Sequence, residues 1–211
     1  MIFSKGDFWR AIIAGEIIAV LSLPILKNIK FFDFFSSPGG LFFYLFLFGW
    51  IIFLPLITAA GLYAAYRLAV FKWPLVYELG KYGIIGWMNV FVNIGVFNIF
   101  VLATGIARGW QIILFYALAF MVSVTHSFFW NRSWTFGAPA IDKPRVEYLK
   151  FFSVTCATSL INAVVLHLMV NVIGAPAGID LKIWANISLA VLIPISFFGN
   201  FFGYKIFVFK K

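Results

Sequence analysis

Amides, hydroxyls and glycine recur at helical spacing inside stretches that are otherwise apolar. Gly86, Asn89 and Asn93 stand at i, i+3 and i+7 and so share one face of a helix. Thr155, Thr158 and Asn162 repeat that spacing, while Ser123 with Ser127 and Ser196 with Asn200 stand at i, i+4. Such groups donate and accept hydrogen bonds without bringing a charge, so four stripes of them would suit the passage of a polar group through an apolar medium. Their simpler role is a packing seam, in which small residues let helices approach and amides bond across for roughly 0.6 to 2 kcal/mol each.

The ionisable residues narrow the chemistry. Only seven are Asp or Glu, with no Asp-x-Asp pair, no phosphate-cradling glycine loop and no His–carboxylate cluster. A catalytic general base, a metal site and a bound cofactor are therefore not expected, and the chain does not read as an enzyme. Cys156 is the lone cysteine, which leaves neither a disulfide nor a cysteine metal site. His126 and His167 are expected to make helix–helix hydrogen bonds. Glu16 lies in an apolar run, where a carboxylate costs roughly 2.5 to 3.5 kcal/mol at mid-helix. It is expected to be protonated, to pair with Arg67 or another cation, or to line a wet cavity where it could couple to protons.

What must position these residues is membrane. Of the 211 residues 64% are hydrophobic and 11% charged, and the mean hydropathy is +1.02, too little polar surface to coat a soluble core. Apolar runs mark spans near Ala11–Leu26, Leu41–Ala69, Tyr82–Thr104, Trp110–Trp130, Phe151–Ile173 and Ile183–Phe202. A cleaved signal peptide is the rival reading of the first run, disfavoured by Glu16 and by the lack of a small-x-small site before Lys27. With six crossings, twelve of the 16 Lys and Arg fall on the side of the termini, and Lys27, Lys30, Arg108 and Lys182 fall on the other. Cations in short loops stay cytoplasmic, so both termini are expected there. The formal charge of +9 then points to anionic membrane lipids, not to nucleic acid.

The chain also repeats itself. Lys81 to Asn93 aligns on Lys150 to Asn162, an offset of 69, and Ser127 to Phe136 aligns on Asn200 to Phe209, an offset of 73. Spans three and four thus recur as five and six. Each unit has an even number of crossings, so the copies are expected to be parallel repeats about the membrane normal. The expected fold is an all-α integral membrane protein of about six transmembrane helices, the last four forming two parallel two-helix repeats. An N-terminal two-helix hairpin and linker (1–77) is added to the duplicated four-helix domain (78–211), through the amphipathic stretch Arg67 to Gly80.

The first repeat closes on Asn131-Arg132-Ser133-Trp134-Thr135-Phe136 and the second on the weaker echo Tyr204-Lys205-Ile206-Phe207-Val208-Phe209. With Gly86-x-x-Asn89 these residues resemble the GtrA-like membrane proteins, over about residues 78 to 211. The family often has Asn where Ser127 stands, and Tyr204 replaces Asn131 in the second copy. The resemblance implies flippase-like translocation of a polyprenyl-phosphate-linked sugar across a bacterial or archaeal cytoplasmic membrane, for glycosylation of cell-surface polysaccharide by membrane glycosyltransferases. On this reading Arg132 and Lys205 contact the phosphate, with Asn131 and Trp134 beside them, and Asn89, Asn93, Ser127, Asn162 and Asn200 line the head group's route. A membrane anchor for a glycosyltransferase, a proton-coupled small-solute exporter using Glu16, and a homo-oligomer stay open at this point.

Overall fold

The computed structural model describes residues 3–28, 30–34, 40–71, 73–106, 110–138, 143–179 and 181–209. Lys72, Arg108, Lys210 and Lys211, four of the cations that set the expected orientation, lie outside them. Among the described residues six long helices occur: α1 (Lys5–Asn28), α2 (Leu41–Phe71), α3 (Leu75–Thr104), α4 (Trp110–Trp130), α5 (Pro144–His167) and α6 (Leu181–Gly203). No strand occurs among the described residues. The chain is an all-α membrane protein. A helix bonds its own backbone polar groups, which is what hydrocarbon demands of a chain this apolar. Among the described residues α1, α2, α3 and the stretch Val191–Val208 are long and apolar enough to cross a membrane.

Each expected span coincides with helix, and three helices, α1, α3 and α5, begin earlier than hydropathy suggests. Pro74 precedes the first turn of α3, and Pro144 stands in the first turn of α5. Proline's fixed φ and missing N–H suit a helix start, so polar residues that hydropathy excludes are still recruited into the helix. Of the stretch Arg67 to Gly80, residues 67–71 end α2 and residues 75–80 open α3.

The helices divide into two compact units, residues 1–135 and 136–211. In the first, α1, α2, α3 and Trp134 share one core of Ala11, Ala14, Ile18, Ala59, Leu62, Ala69, Tyr77, Ile85, Met88 and Val92. The small residues of α1 let its neighbours approach closely. A Cβ on Gly95 of α3 would stand 2.7 Å from the Leu21 carbonyl oxygen, so glycine is required where α3 crosses α1. Polar latches fix the register: Asn28 Nδ2 donates to Asn98 Oδ1 at 2.6 Å, Trp50 Nε1 to Ser22 Oγ at 2.8 Å, and Thr58 Oγ1 to the Ala11 carbonyl at 2.8 Å. With Asp7 of α1 on Lys81 of α3, the Asn28–Asn98 contact makes α1 and α3 parallel.

In the second unit α5 packs on α6, with Gly199 against Thr158 and Gly203 against Val154. Phe136, Phe151, Phe201, Tyr204 and Phe209 fill one end with stacked rings, Phe151 on Tyr204 at 3.9 Å between centroids and Phe136 on Phe209 at 5.0 Å.

Candidate functional site

The polar stripes meet pairwise, and the two units do it alike. Asn93 Nδ2 donates to Ser123 Oγ at 3.2 Å between α3 and α4. Asn162 Nδ2 donates to Ser196 Oγ between α5 and α6. These residues are related by the sequence offsets of 69 (Asn93 to Asn162) and 73 (Ser123 to Ser196), so one interhelical hydrogen bond is built twice.

Around each bond lie polar atoms that are buried and, among the described residues, without a hydrogen-bond partner. They are Asn89 Oδ1 and both ring nitrogens of His126 in the first unit, and Asn162 Oδ1 and Asn200 Oδ1 in the second. Leaving such an atom unpaired costs roughly 1 to 3 kcal/mol, which a hydroxyl-bearing ligand or an ordered water would offset. Asn89 and His126 occupy the positions that Thr158 and Gly199 hold in the second repeat, where those two residues pack together. The helix–helix hydrogen bond expected of His126 is therefore absent among the described contacts. That expected of His167 is replaced by a local one, its Nδ1 lying 3.1 Å from Asn171 Nδ2 one turn on.

Both closing motifs sit on π-helical turns, Asn131–Thr135 after α4 and Tyr204–Val208 after α6, again 73 residues apart. A π turn widens the ring to i→i+5 and redirects the side chains it carries, and such turns are common at functional sites. Asn131 is 1% exposed and is held within its own helix end, donating to the Ser127 carbonyl at 3.0 Å and Ser127 Oγ at 3.1 Å and accepting from Thr135 Oγ1 at 3.1 Å. Ser127 is thereby drawn to Asn131. In the second copy Tyr204 fills Asn131's place, its hydroxyl 2.7 Å from Thr155 Oγ1. Arg132 and Lys205 are half-buried on their π turns, the Lys205 ammonium 5.6 Å above the Phe201 ring.

Trp134 is 3% exposed, and its indole N–H is directed into the first unit. It donates to Asp7 Oδ1 at 2.8 Å, and the same oxygen lies 2.7 Å from Lys81 Nζ. Asp7 Oδ2 accepts from Ser4 Oγ at 2.7 Å and Ser4 N at 3.2 Å, while Asp7 N donates back to Ser4 Oγ at 3.0 Å. This is a capping box closing the start of α1. Lys81 Nζ also stands 4.3 Å above the Tyr77 ring, and Arg10 donates to the Ser133 carbonyl at 3.1 Å. Trp134 and Ser133 of the motif thus fasten the N-terminal helix onto the first repeat.

Asp7 is the residue that sequence reasoning missed. Its signal was present as Ser4-x-x-Asp7, a helix-start pattern whose carboxylate also happens to face a lysine 74 residues away. Glu16, by contrast, makes no ion pair and no hydrogen bond among the described residues, and Arg67 instead donates to Tyr63 Oη at 3.2 Å.

The family model described as the GtrA/DPMS transmembrane domain matches residues 81–209. No curated protein and no solved structure matches the chain.

Proposed function

The chain belongs to the GtrA/DPMS transmembrane domain family, and from that membership we propose that it translocates a polyprenyl-phosphate-linked sugar, flippase-like and without catalysing a reaction. The observation that carries the proposal is the duplicated seam: Asn93 on Ser123 and Asn162 on Ser196, each flanked by buried acceptors that lack a donor among the described residues. Sugar hydroxyls are donors. A polyprenol tail remains in lipid throughout, so only the head group needs polar partners, and a small protein with uncharged stripes meets that need. Asn89, Asn162 and Asn200 would accept from the sugar as it leaves water.

Arg132 and Lys205 stand at equivalent π turns, one in each unit, and each would meet a lipid phosphate, the one group common to every such lipid, through charge-assisted bonds. In the orientation set by the cation bias, these turns and both termini face the cytoplasm of a bacterial or archaeal cell, and the sugar is delivered to a membrane glycosyltransferase outside. Binding of a polyprenyl phosphate by the purified protein tests the phosphate contact. Arg132→Ala should weaken it more than Arg108→Ala, because Arg108 lies on the outer side in this topology. Equal binding by the two variants, at matched folding, would return Arg132 to the role of a helix-end anchor.

A further inference from the structure

The second repeat carries an open groove where the first repeat carries the N-terminal helix. It is about 510 Å³ and is lined by Val146, Leu149, Lys150, Ser153, Val154 and Phe207. By the offsets of 69 and 73, these six positions correspond to Tyr77, Gly80, Lys81, Ile84, Ile85 and Trp134. In the first unit that face is covered: Tyr77, Ile85 and Trp134 are buried against α1 and α2, and the Asp7 carboxylate sits on Lys81 at 2.7 Å. In the second unit Lys150 is exposed, makes no ion pair or hydrogen bond among the described residues, and Phe207 is 62% exposed. One of two equivalent lysines is therefore neutralised within the chain, and the other is open at the mouth of an apolar groove.

We infer that the groove beside Lys150 and Ser153 is a further phosphate position, additional to the contacts of Arg132 and Lys205, at which a polyprenyl phosphate is held with its chain lying along Val146, Leu149, Val154 and Phe207. The identity of the ligand rests on the functional reading above; the anion site itself rests on the comparison of the two repeats. The first repeat shows what this arrangement accepts, an oxygen anion bound by a lysine and one further donor. In the second repeat Phe207 lacks the indole N–H of Trp134, but Ser153 brings a hydroxyl where the first repeat has Ile84. The donor pair is thus kept with one partner exchanged.

The same comparison favours a lipid over another helix. A Cβ on Gly80 would stand 2.7 Å from Ala65 Cβ, so glycine is what lets α2 close over the first repeat. Leu149 stands at the equivalent position. Its side chain fills the space that a helix backbone would need, whereas a flexible prenyl chain packs beside it. Phosphate also suits the donors, since its oxygens can take the ammonium and the hydroxyl together.

The test uses the full chain in nanodiscs with three probes, undecaprenyl phosphate, undecaprenol and inorganic phosphate, and reads bound ligand by native mass spectrometry. Undecaprenyl phosphate should bind. Lys150→Ala should weaken it roughly tenfold, as expected for losing one charge-assisted contact. Ser153→Ile should weaken it by less, and Lys150→Arg should retain most of it. Undecaprenol and inorganic phosphate should each bind far more weakly, and undecaprenol binding should be indifferent to Lys150→Ala. Thermal unfolding of each variant, expected unchanged because Lys150 is exposed, separates lost binding from lost folding. Undecaprenyl phosphate binding that ignores Lys150 would overturn this site and leave the functional reading intact. Undecaprenol binding as tightly as its phosphate would overturn it too. So would Lys150-dependent capture of a peptide of residues 4–28 that displaces the lipid, which would make the groove a helix dock. Lys150-dependent lipid binding without translocation would instead sink the functional reading and leave the site standing.

Discussion

Asp7 is the strongest single handle on the first unit, and its removal should be felt well beyond α1. The side chains of Asp7 and Lys81 are 11% and 14% exposed, so the pair is largely but not wholly out of solvent. Asp7→Ala removes the Asp7 half of the capping box and leaves the residue-7 N–H on Ser4 Oγ, a loss of up to about 1 kcal/mol. It strands the Trp134 N–H, 3% exposed, at roughly 1 to 3 kcal/mol. It also leaves an ammonium without its partner, which for buried pairs costs about 3 to 5 kcal/mol and less here because some water remains. These losses share one side chain and do not add, so a total of about 3 to 4 kcal/mol is expected. Asp7→Asn keeps a single acceptor oxygen, which can serve Trp134 or Ser4 but not both, and should still cost less than the alanine, about 1 to 2 kcal/mol for the lost charge. Lys81→Met should recover part of the Asp7→Ala loss, with a coupling of at least about 1 kcal/mol in the double-mutant cycle. Reversible unfolding in mixed micelles, followed by tryptophan fluorescence, measures all four states. An Asp7→Ala protein within about 0.5 kcal/mol of the parent, or a cycle with no coupling, would refute the claim that this carboxylate fastens α1 to the first repeat.

Reporter fusions after Lys30, Arg108 and Lys182 should all read as outside, following the twelve-to-four division of Lys and Arg; a cytoplasmic signal at any of them would contradict six crossings. Gly95→Leu would drive a side chain into Leu21, whose carbonyl oxygen already lies 2.7 Å from where a Cβ would stand. It should lower stability by about 1 to 3 kcal/mol or prevent folding, and an unchanged melting temperature would show that α1 does not press on α3 there.

Much of the architecture is legible in the sequence because hydrocarbon leaves few alternatives: an apolar run this long has to be helix. The repeat was legible for a different reason. Two offsets, 69 and 73, align chemically similar residues at the helix starts and ends, and the Asn93–Ser123 and Asn162–Ser196 bonds obey both. What sequence did not reveal depends on contacts between distant segments. Asp7 reads as an ordinary helix-start acid until α1 lies on α3 and brings it to Lys81. Trp134 reads as an interfacial aromatic within a ligand motif, yet its indole is turned inward to Asp7. The π turns are invisible to composition, since they differ from α-helix by one residue per hydrogen-bonded ring. Glu16 drew attention because a charge in an apolar run is costly, but Arg67 bonds to Tyr63 on its own helix instead. The helix starts at Leu75 and Pro144 escaped hydropathy because proline, not apolarity, determines them.

The most direct measurement is translocation itself. The purified protein is reconstituted into vesicles carrying a polyprenyl-phosphate-linked sugar in one leaflet only, and the sugar's accessibility to an enzyme confined to the opposite side is followed in time. The account predicts that the wild-type chain exposes the sugar much faster than empty vesicles do. It also predicts that Asn162→Ala with Asn200→Ala, which remove the seam's acceptors in the second repeat, slow that exposure while the fold is retained. Exposure no faster than in empty vesicles, from protein shown to be folded and to bind the lipid, would contradict it.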